Sequence, residues 1–190
     1  MIQAHIYASV RVAENLLSDV VQISALHSIA DKIFCAFLAR RKLLICGNGG
    51  SAADAQHIAA EFVGRYKTER RGLAAIALTT DTSALTAIGN DYGFDQVFER
   101  QVDAIGVQGD VLLALSTSGK SPNVLRAMER ADEIGMEVIG FTSGPAWRDF
   151  SARCDTMFAP MCTDTAITQQ LHLMAAHAIC GQIDDWRIVK

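Results

Sequence analysis

The sequence predicts a three-layer α/β/α sandwich built on a parallel sheet, with helices added at its N-terminus. Three observations carry this expectation. Five short apolar runs lack the strict alternation of a half-exposed strand, helical stretches separate them, and roughly the first 40 residues carry helical periodicity alone. Strands that are apolar at every position are buried on both faces, and the intervening helices supply the crossovers that parallel pairing requires.

Residues 2 to about 40 read as two helices, with Ile6, Val10, Ala13, Leu17 and Val20 on one apolar stripe and Leu26, Ile29, Ile33 and Phe37 on another. Leu43-Leu44-Ile45-Cys46 is the first strand, followed by a glycine turn and a helix from Ala52 to about Gly64. Ala74 to Leu78 reads as a strand, Ser83 to Asn90 and Gln96 to Ala104 as helices, and Val111 to Leu115 as the third strand. A helix from Pro122 to Glu133 precedes strands at Val138 to Phe141 and Met157 to Ala159, and a helix from about Asp164 to Gln182 comes last. Without repeats or low-complexity segments, one domain is expected.

Composition narrows the function. The 190 residues hold 17 Lys+Arg against 21 Asp+Glu, a formal charge of −4, and half are hydrophobic. A nucleic-acid surface needs clustered cations, yet the densest groups here, Arg40 to Lys42 and Lys67 to Arg71, are short, and the second contains Glu69. No apolar run approaches the ~20 residues of a membrane span, the longest being Ile33 to Ala39, and the N-terminus lacks a signal-peptide pattern. Cys35, Cys46, Cys154, Cys162 and Cys180 form no C-x-x-C pair and read as small core hydrophobes of a reducing compartment. A cytoplasmic protein with neither a nucleic-acid nor a membrane partner is expected. The mean hydropathy of +0.18 points to apolar surface buried between subunits.

Two loops have the chemistry of anion sites. In Gly47-Asn48-Gly49-Gly50-Ser51-Ala52-Ala53-Asp54, Ser51 and Asp54 form a capping-box pattern that starts a helix, and glycines let the backbone approach a ligand. Gly47, Gly49 and Ala52 fit a relaxed dinucleotide pattern, but the first acid beyond the next strand is Asp81, about 30 residues on rather than the roughly 20 that such a site uses. NAD ranks low. In the second loop, Ser116-Thr117-Ser118-Gly119-Lys120-Ser121-Pro122, Ser121 reads as N-cap and Pro122 as first helical residue. Gly119-Lys120-Ser121 copies the end of a Walker A loop, but Ala114 stands where its first glycine belongs. Hydroxyls at a helix N-terminus remain, a composition suited to one phosphate.

Within the helix after the first loop, His57 and Glu61 stand at i and i+4, about 40° apart and on one face. Their apolar neighbours desolvate the carboxylate, which suits a proton acceptor. The last helix offers Gln169, Gln170, His172 and His177; the two histidines, about 140° apart, do not share a face. The residues alone leave open which of the two serves a site.

Taken together, Cys46 to Ser51, Gln56-His57, Glu61, Thr79 to Thr82, Ile88 to Asp91, Gly109 to Val111 and Ser116 to Ser121 resemble the phosphoheptose isomerases of the sugar-isomerase (SIS) superfamily. The resemblance covers most of residues 40 to 180. It implies an SIS-type, Rossmann-like fold in one domain, 1–190, with residues 1–40 as a helical oligomerisation segment and 41–190 as the α/β core. It also implies Asn48, Gly49, Gly50, Ser51, Asn90, Asp91, Glu61 and Gln169 at the substrate, Ser116, Thr117, Ser118 and Ser121 at its phosphate, and Glu61 and His177 as the acid–base pair. His57, Glu61, Gln169 and His177 would ligate zinc, one ion per subunit of a homotetramer whose active sites lie between subunits.

The implied reaction is isomerisation of sedoheptulose 7-phosphate to D-glycero-D-manno-heptose 7-phosphate through an enediol. It is the first step toward nucleotide-activated heptose for lipopolysaccharide core or surface polysaccharide. The alternative is a non-catalytic relative of these isomerases that binds the replication initiator DnaA. On one straight helix, Gln169 and His177 are separated by about 12 Å and about 80°. Either that helix begins after Gln169, or the two residues act from different subunits. The sequence departs from the family at Gln170, where an acid is often found, and at Gly144-Pro145-Ala146-Trp147-Arg148, which lacks the usual paired glycines.

Overall fold

The structure is a computed structural model that describes residues 1–186; the last four positions of the expected 1–190 domain and 41–190 core lie outside the described residues. Two helices come first, α1 (Ile2–Ser18) and α2 (Val20–Leu38), meeting at Asp19, whose carboxylate accepts the Gln22 N–H at 3.0 Å and caps α2. Five strands follow, β1 (Leu43–Gly47), β2 (Ala75–Ala77), β3 (Val111–Leu115), β4 (Glu137–Phe141) and β5 (Thr156–Phe158). All pair in parallel, in the order β2-β1-β3-β4-β5. The helices between and after them are α3 (Gly50–Val63), α4 (Thr82–Asp91), α5 (Glu99–Ile105), α6 (Pro122–Ile134), α7 (Trp147–Ser151) and α8 (Thr165–Asp185).

Successive strand residues face opposite sides of the sheet, so each apolar run feeds two cores. Leu43, Ile45 and Leu113 pack with Ile33 of α2, Phe62 of α3 and Leu171 of α8; Leu44, Cys46 and Leu112 pack with Val102 of α5 and Val124 and Met128 of α6. This is the expected three-layer sandwich. Each fully buried aliphatic side chain contributes about 1.5–3 kcal/mol, which explains why these runs form the central strands.

The strand order also locates the ligand crevice. From β1 the chain moves to β2 on one side, and β3 returns to the other side of β1, with Gly47 in register with Leu115. The carboxyl ends of β1 and β3 therefore flank the point where the order reverses, and both candidate anion loops leave the sheet there.

The first apolar stripe of the N-terminal helices is open on this chain: Ile6, Val10 and Leu17 of α1 and Val20 of α2 are exposed while Leu16 is buried, because α1 lies against α2 and α8, away from the sheet. Three local expectations are corrected. The helix after the first loop starts at Gly50 with Gly49 as N-cap, and Ser51 is buried in its first turn, so the Ser51–Asp54 capping box does not form. A 3-10 turn (Gly144–Ala146) and α7 occupy the segment after β4, where no helix is expected, since five residues are too few for a periodic signal. Cys35 is exposed, whereas Cys46, Cys162 and Cys180 are buried as expected.

Although no apolar run reaches the length of a membrane span, α2 is long and apolar enough to cross a membrane by length and composition, because its polar residues are spread among apolar ones. Its Ile29, Ala30, Ile33 and Phe37 are buried in the core, Gln22 Oε1 accepts the Ala159 N–H at 2.7 Å, and Lys32 pairs with Glu137.

Candidate active site

Both loops are shaped by close approach. A Cβ on Gly47 would lie 2.9 Å from Ser51 Cβ and 3.1 Å from Leu115 Cβ, so only glycine lets α3 start this near β3, and Gly49 turns the chain with a φ of 56°. In the second loop Gly119 has a φ of 64°, and a Cβ there would meet the Ala146 carbonyl at 3.0 Å. The unexpected turn after β4 thus packs directly on this loop. Ser116 Oγ and Ser121 Oγ lie 3.1 Å apart, and the Lys120 N–H donates to Ser118 Oγ at 3.2 Å. Ser116 is buried, Thr117 and Ser121 are half-buried and Ser118 is exposed. Ser121 is the N-cap of α6 by position, with no side-chain cap bond, and Pro122 follows it.

Three residues outside the expected set support these loops. The side-chain amides of Asn48 and Asn123 donate to each other at 2.8 and 2.9 Å, linking the two loops. Thr142 Oγ1 donates to the Ser116 carbonyl at 2.7 Å, and His172 Nε2–H donates to the Thr142 carbonyl at 2.9 Å. His172 is fully buried, its Nδ1 has no hydrogen-bond partner among the described residues, and burial pulls its pKa down to about 4, against the hydrogen bond to Thr142. It is a neutral core residue beneath the loop. Asn123 and Thr142 follow no spacing rule; only the pairing of elements distant in sequence shows them.

A second cluster lies on the flank formed by α3 and α8. His57 Nε2 is 3.0 Å from Glu61 Oε1, His177 Nε2 is 3.2 Å from His57 Nε2, and His177 Nε2 is 4.0 Å from Glu61 Oε1. The three ligand atoms lie within 4.8 Å of one another. Two imidazole nitrogens and a carboxylate oxygen converging in this way form a donor set for a divalent cation: a tetrahedral zinc with Zn–N bonds of about 2.0–2.1 Å spaces its ligands about 3.3 Å apart. Asp54 lies one turn before His57; burial raises its carboxyl pKa against the opposing charge of His57, and its Oδ2 has no hydrogen-bond partner among the described residues. Cys180, one turn after His177, stands outside this group of three; burial pushes its thiol up to about 12, with Glu61 and Asp184 adding to the effect.

The remaining expected residues are dispersed in this single chain. The Gln169 amide sits over Gly50, where a Cβ would come within 2.6 Å of it. Gly50 precedes His57 by about 10 Å of helix, so Gln169 is not brought to the cluster. Because α8 includes both Gln169 and His177, a helix that starts between them is ruled out. Asn90 and Asp91 are exposed at the end of α4, with Asn90 Nδ2 donating to Asp91 Oδ1 at 2.7 Å. Asp81, the acid weighed for a dinucleotide, caps α4 by accepting the Ala84 N–H at 2.9 Å. Gln170 Nε2 approaches His5 Nε2 of α1 at 3.4 Å.

A buried ion pair closes the lower end of the α3–α8 flank. Arg70 Nε donates to Asp184 Oδ1 at 2.8 Å, while the Lys67 and Thr68 N–H groups donate to Oδ2, each at 2.9 Å. Burial opposes the Asp184 charge, but the Thr68 N–H, the Arg70 guanidinium and the Lys67 N–H hold the carboxyl below its ordinary value.

The SIS-domain family model matches residues 10–143. A phosphoheptose isomerase from a Bradyrhizobium species (strain BTAi1) is 54% identical over 184 residues, 97% of this chain and 92% of the relative. Among solved structures, phosphoheptose isomerase from Neisseria gonorrhoeae superposes with a TM-score of 0.90 at 43% identity, covering 97% of each chain. The enzyme from Francisella tularensis gives 0.91 at 33% identity, covering 97% of this chain and 96% of that one.

Proposed function

This chain belongs to the phosphoheptose isomerases, enzymes of the SIS-domain family, and on that premise we propose that it converts sedoheptulose 7-phosphate to D-glycero-D-manno-heptose 7-phosphate through an enediol. The observation that carries this reading is the convergence of His57, Glu61 and His177, two of them on α3, the helix that leaves the first of the two glycine- and hydroxyl-bearing loops at the sheet's switch point. Ser116, Thr117, Ser118 and Ser121 hold the phosphate, with the N–H groups of α6, and this remote binding orients the sugar. Glu61 takes the proton from C1 of the ketose and returns it to C2, while His177 moves the hydroxyl proton from the C1 oxygen to the C2 oxygen. Asn48, Gly49, Gly50, Ser51, Asn90 and Asp91 complete the sugar site.

His57, Glu61 and His177 have the chemistry and spacing to hold zinc, and Gln169 would come from another copy of the chain. When bound, the ion supplies a Lewis acid that polarises the two sugar oxygens and stabilises the enediolate. A homotetramer with sites between subunits is supported by the exposed Ile6, Tyr7, Val10, Leu17 and Val20 of the N-terminal helices. The chain then acts as one SIS domain with residues 1–40 serving assembly. A cytoplasmic location is supported by its five unpaired cysteines. The product suits precursor synthesis for lipopolysaccharide core or surface polysaccharide.

The test is incubation with sedoheptulose 7-phosphate in D₂O, with deuterium entry at C1 or C2 followed by NMR. Exchange with appearance of the aldose is expected. Absence of both, together with capture of DnaA, would move the reading to the non-catalytic alternative.

A further inference from the structure

The loop that follows α3 carries Tyr66 back across α8. Its ring stacks on the His177 imidazole, with centroids 5.5 Å apart and planes 10° from parallel, and it also approaches Gly181, where a Cβ would lie 3.6 Å from the ring. His177 is therefore bounded on one face by Tyr66 and meets His57 edge-on, at 67°.

The loop owes this position to the Arg70–Asp184 pair, whose side chains are 6% and 2% exposed. Asp184, two turns beyond His177 on α8, gathers the N–H groups of Lys67 and Thr68 immediately after Tyr66. Arg70 extends the same contact into α3: Nη2 donates to the Glu61 carbonyl at 2.8 Å and Nη1 to the Phe62 carbonyl at 2.9 Å. These carbonyls belong to the last turn of α3, which lacks helical partners for its acceptors. One ion pair therefore ties α8, the Tyr66 loop and the backbone of Glu61 together.

We propose that Tyr66, held by the Arg70–Asp184 latch, is a positioning residue for His177, fixing the imidazole plane so that Nε2 points at His57 and Glu61. The proposal rests on the role given to His177 above. An imidazole turns about a broad terminal torsion, and a flat ring against one face restricts that rotation to the orientation the cluster uses. The contacts that carry the proposal are those of the ring, so the ring rather than the phenol hydroxyl is assigned the role.

The test compares Tyr66→Phe, Tyr66→Leu and Tyr66→Ala, with His177→Asn as control, reading zinc affinity by chelator competition and kcat and KM separately. Tyr66→Phe is expected to match the parent. Tyr66→Leu and Tyr66→Ala should each lower kcat and zinc affinity roughly three- to tenfold with KM unchanged, and Leu keeps much of the packing volume should Ala disturb the fold. Equal losses in Tyr66→Phe and Tyr66→Ala would overturn the ring's role, as would parental values for both Tyr66→Leu and Tyr66→Ala while His177→Asn is inactive. Full turnover in His177→Asn would instead overturn the role of His177, and the proposal with it.

Discussion

Asn48 and Asn123 exchange two side-chain hydrogen bonds, of 2.8 and 2.9 Å, across the gap between the β1 and β3 loops. Asn123 is 2% exposed, and its Oδ1 also accepts the Val124 N–H at 3.0 Å. The pair sets the spacing of the two loops at the switch point. Asn123→Ala strands the Asn48 amide at a cost of about 1–3 kcal/mol, so melting should fall by about 2–4 °C per kcal/mol and KM for the sugar phosphate should rise more than kcat falls. Thermal melting and steady-state kinetics check this; an unchanged KM would separate loop spacing from phosphate binding.

Glu61 offers Oε1 to the cluster while its backbone is held by Arg70. Glu61→Gln preserves shape and removes the basic oxygen. Turnover should fall by about 10²–10⁴, the usual contribution of a positioned base, while sugar phosphate still binds in a calorimetric titration. Retained activity would remove Glu61 from the proton transfer.

His172 makes stability depend on pH. Its folded pKa of about 4 lies below the ordinary 6.5, so the unfolded chain takes up the proton first. The neutral imidazole's contribution is fully present above pH 6.5 and is lost as pH falls from 6.5 toward 4, a total of roughly 3 kcal/mol. His172→Gln should therefore show a shallower loss of unfolding free energy over that window than the parent, measured by urea titration at several pH values. Parallel curves for the two proteins would refute the assignment.

What was legible in the sequence follows from range. Strands such as Leu43–Gly47 were readable because burial on both faces demands an unbroken apolar run, and the loops because glycine and hydroxyls serve backbone turns locally. His57 and Glu61 share a face by helix arithmetic alone. His177 was different: periodicity separated it from His172, but only the packing of α8 on α3 directs one histidine to Glu61 and the other to the core. The same limit hid Asn123, Tyr66 and the Arg70–Asp184 pair, whose partners lie on distant segments. The apolar stripe of the N-terminal helices was legible too, but periodicity does not name what covers such a face.

Gln169 can be tested through the glycine it covers. A Cβ on Gly50 would meet Gln169 Nε2 at 2.6 Å, Oε1 at 2.7 Å and Cδ at 2.8 Å, all at the flexible end of the side chain. Gly50→Ala should therefore leave the fold intact, with alanine favouring the first turn of α3, and displace only the Gln169 amide. If that amide serves the reaction, Gly50→Ala and Gln169→Ala should each lower kcat/KM on the order of tenfold or more. The double variant should be no worse than the weaker single variant, since both changes remove one interaction. The check is a double-mutant cycle with melting temperatures measured alongside. Losses that simply add would mean that Gly50 acts through its own backbone at the loop, and Gln169 elsewhere.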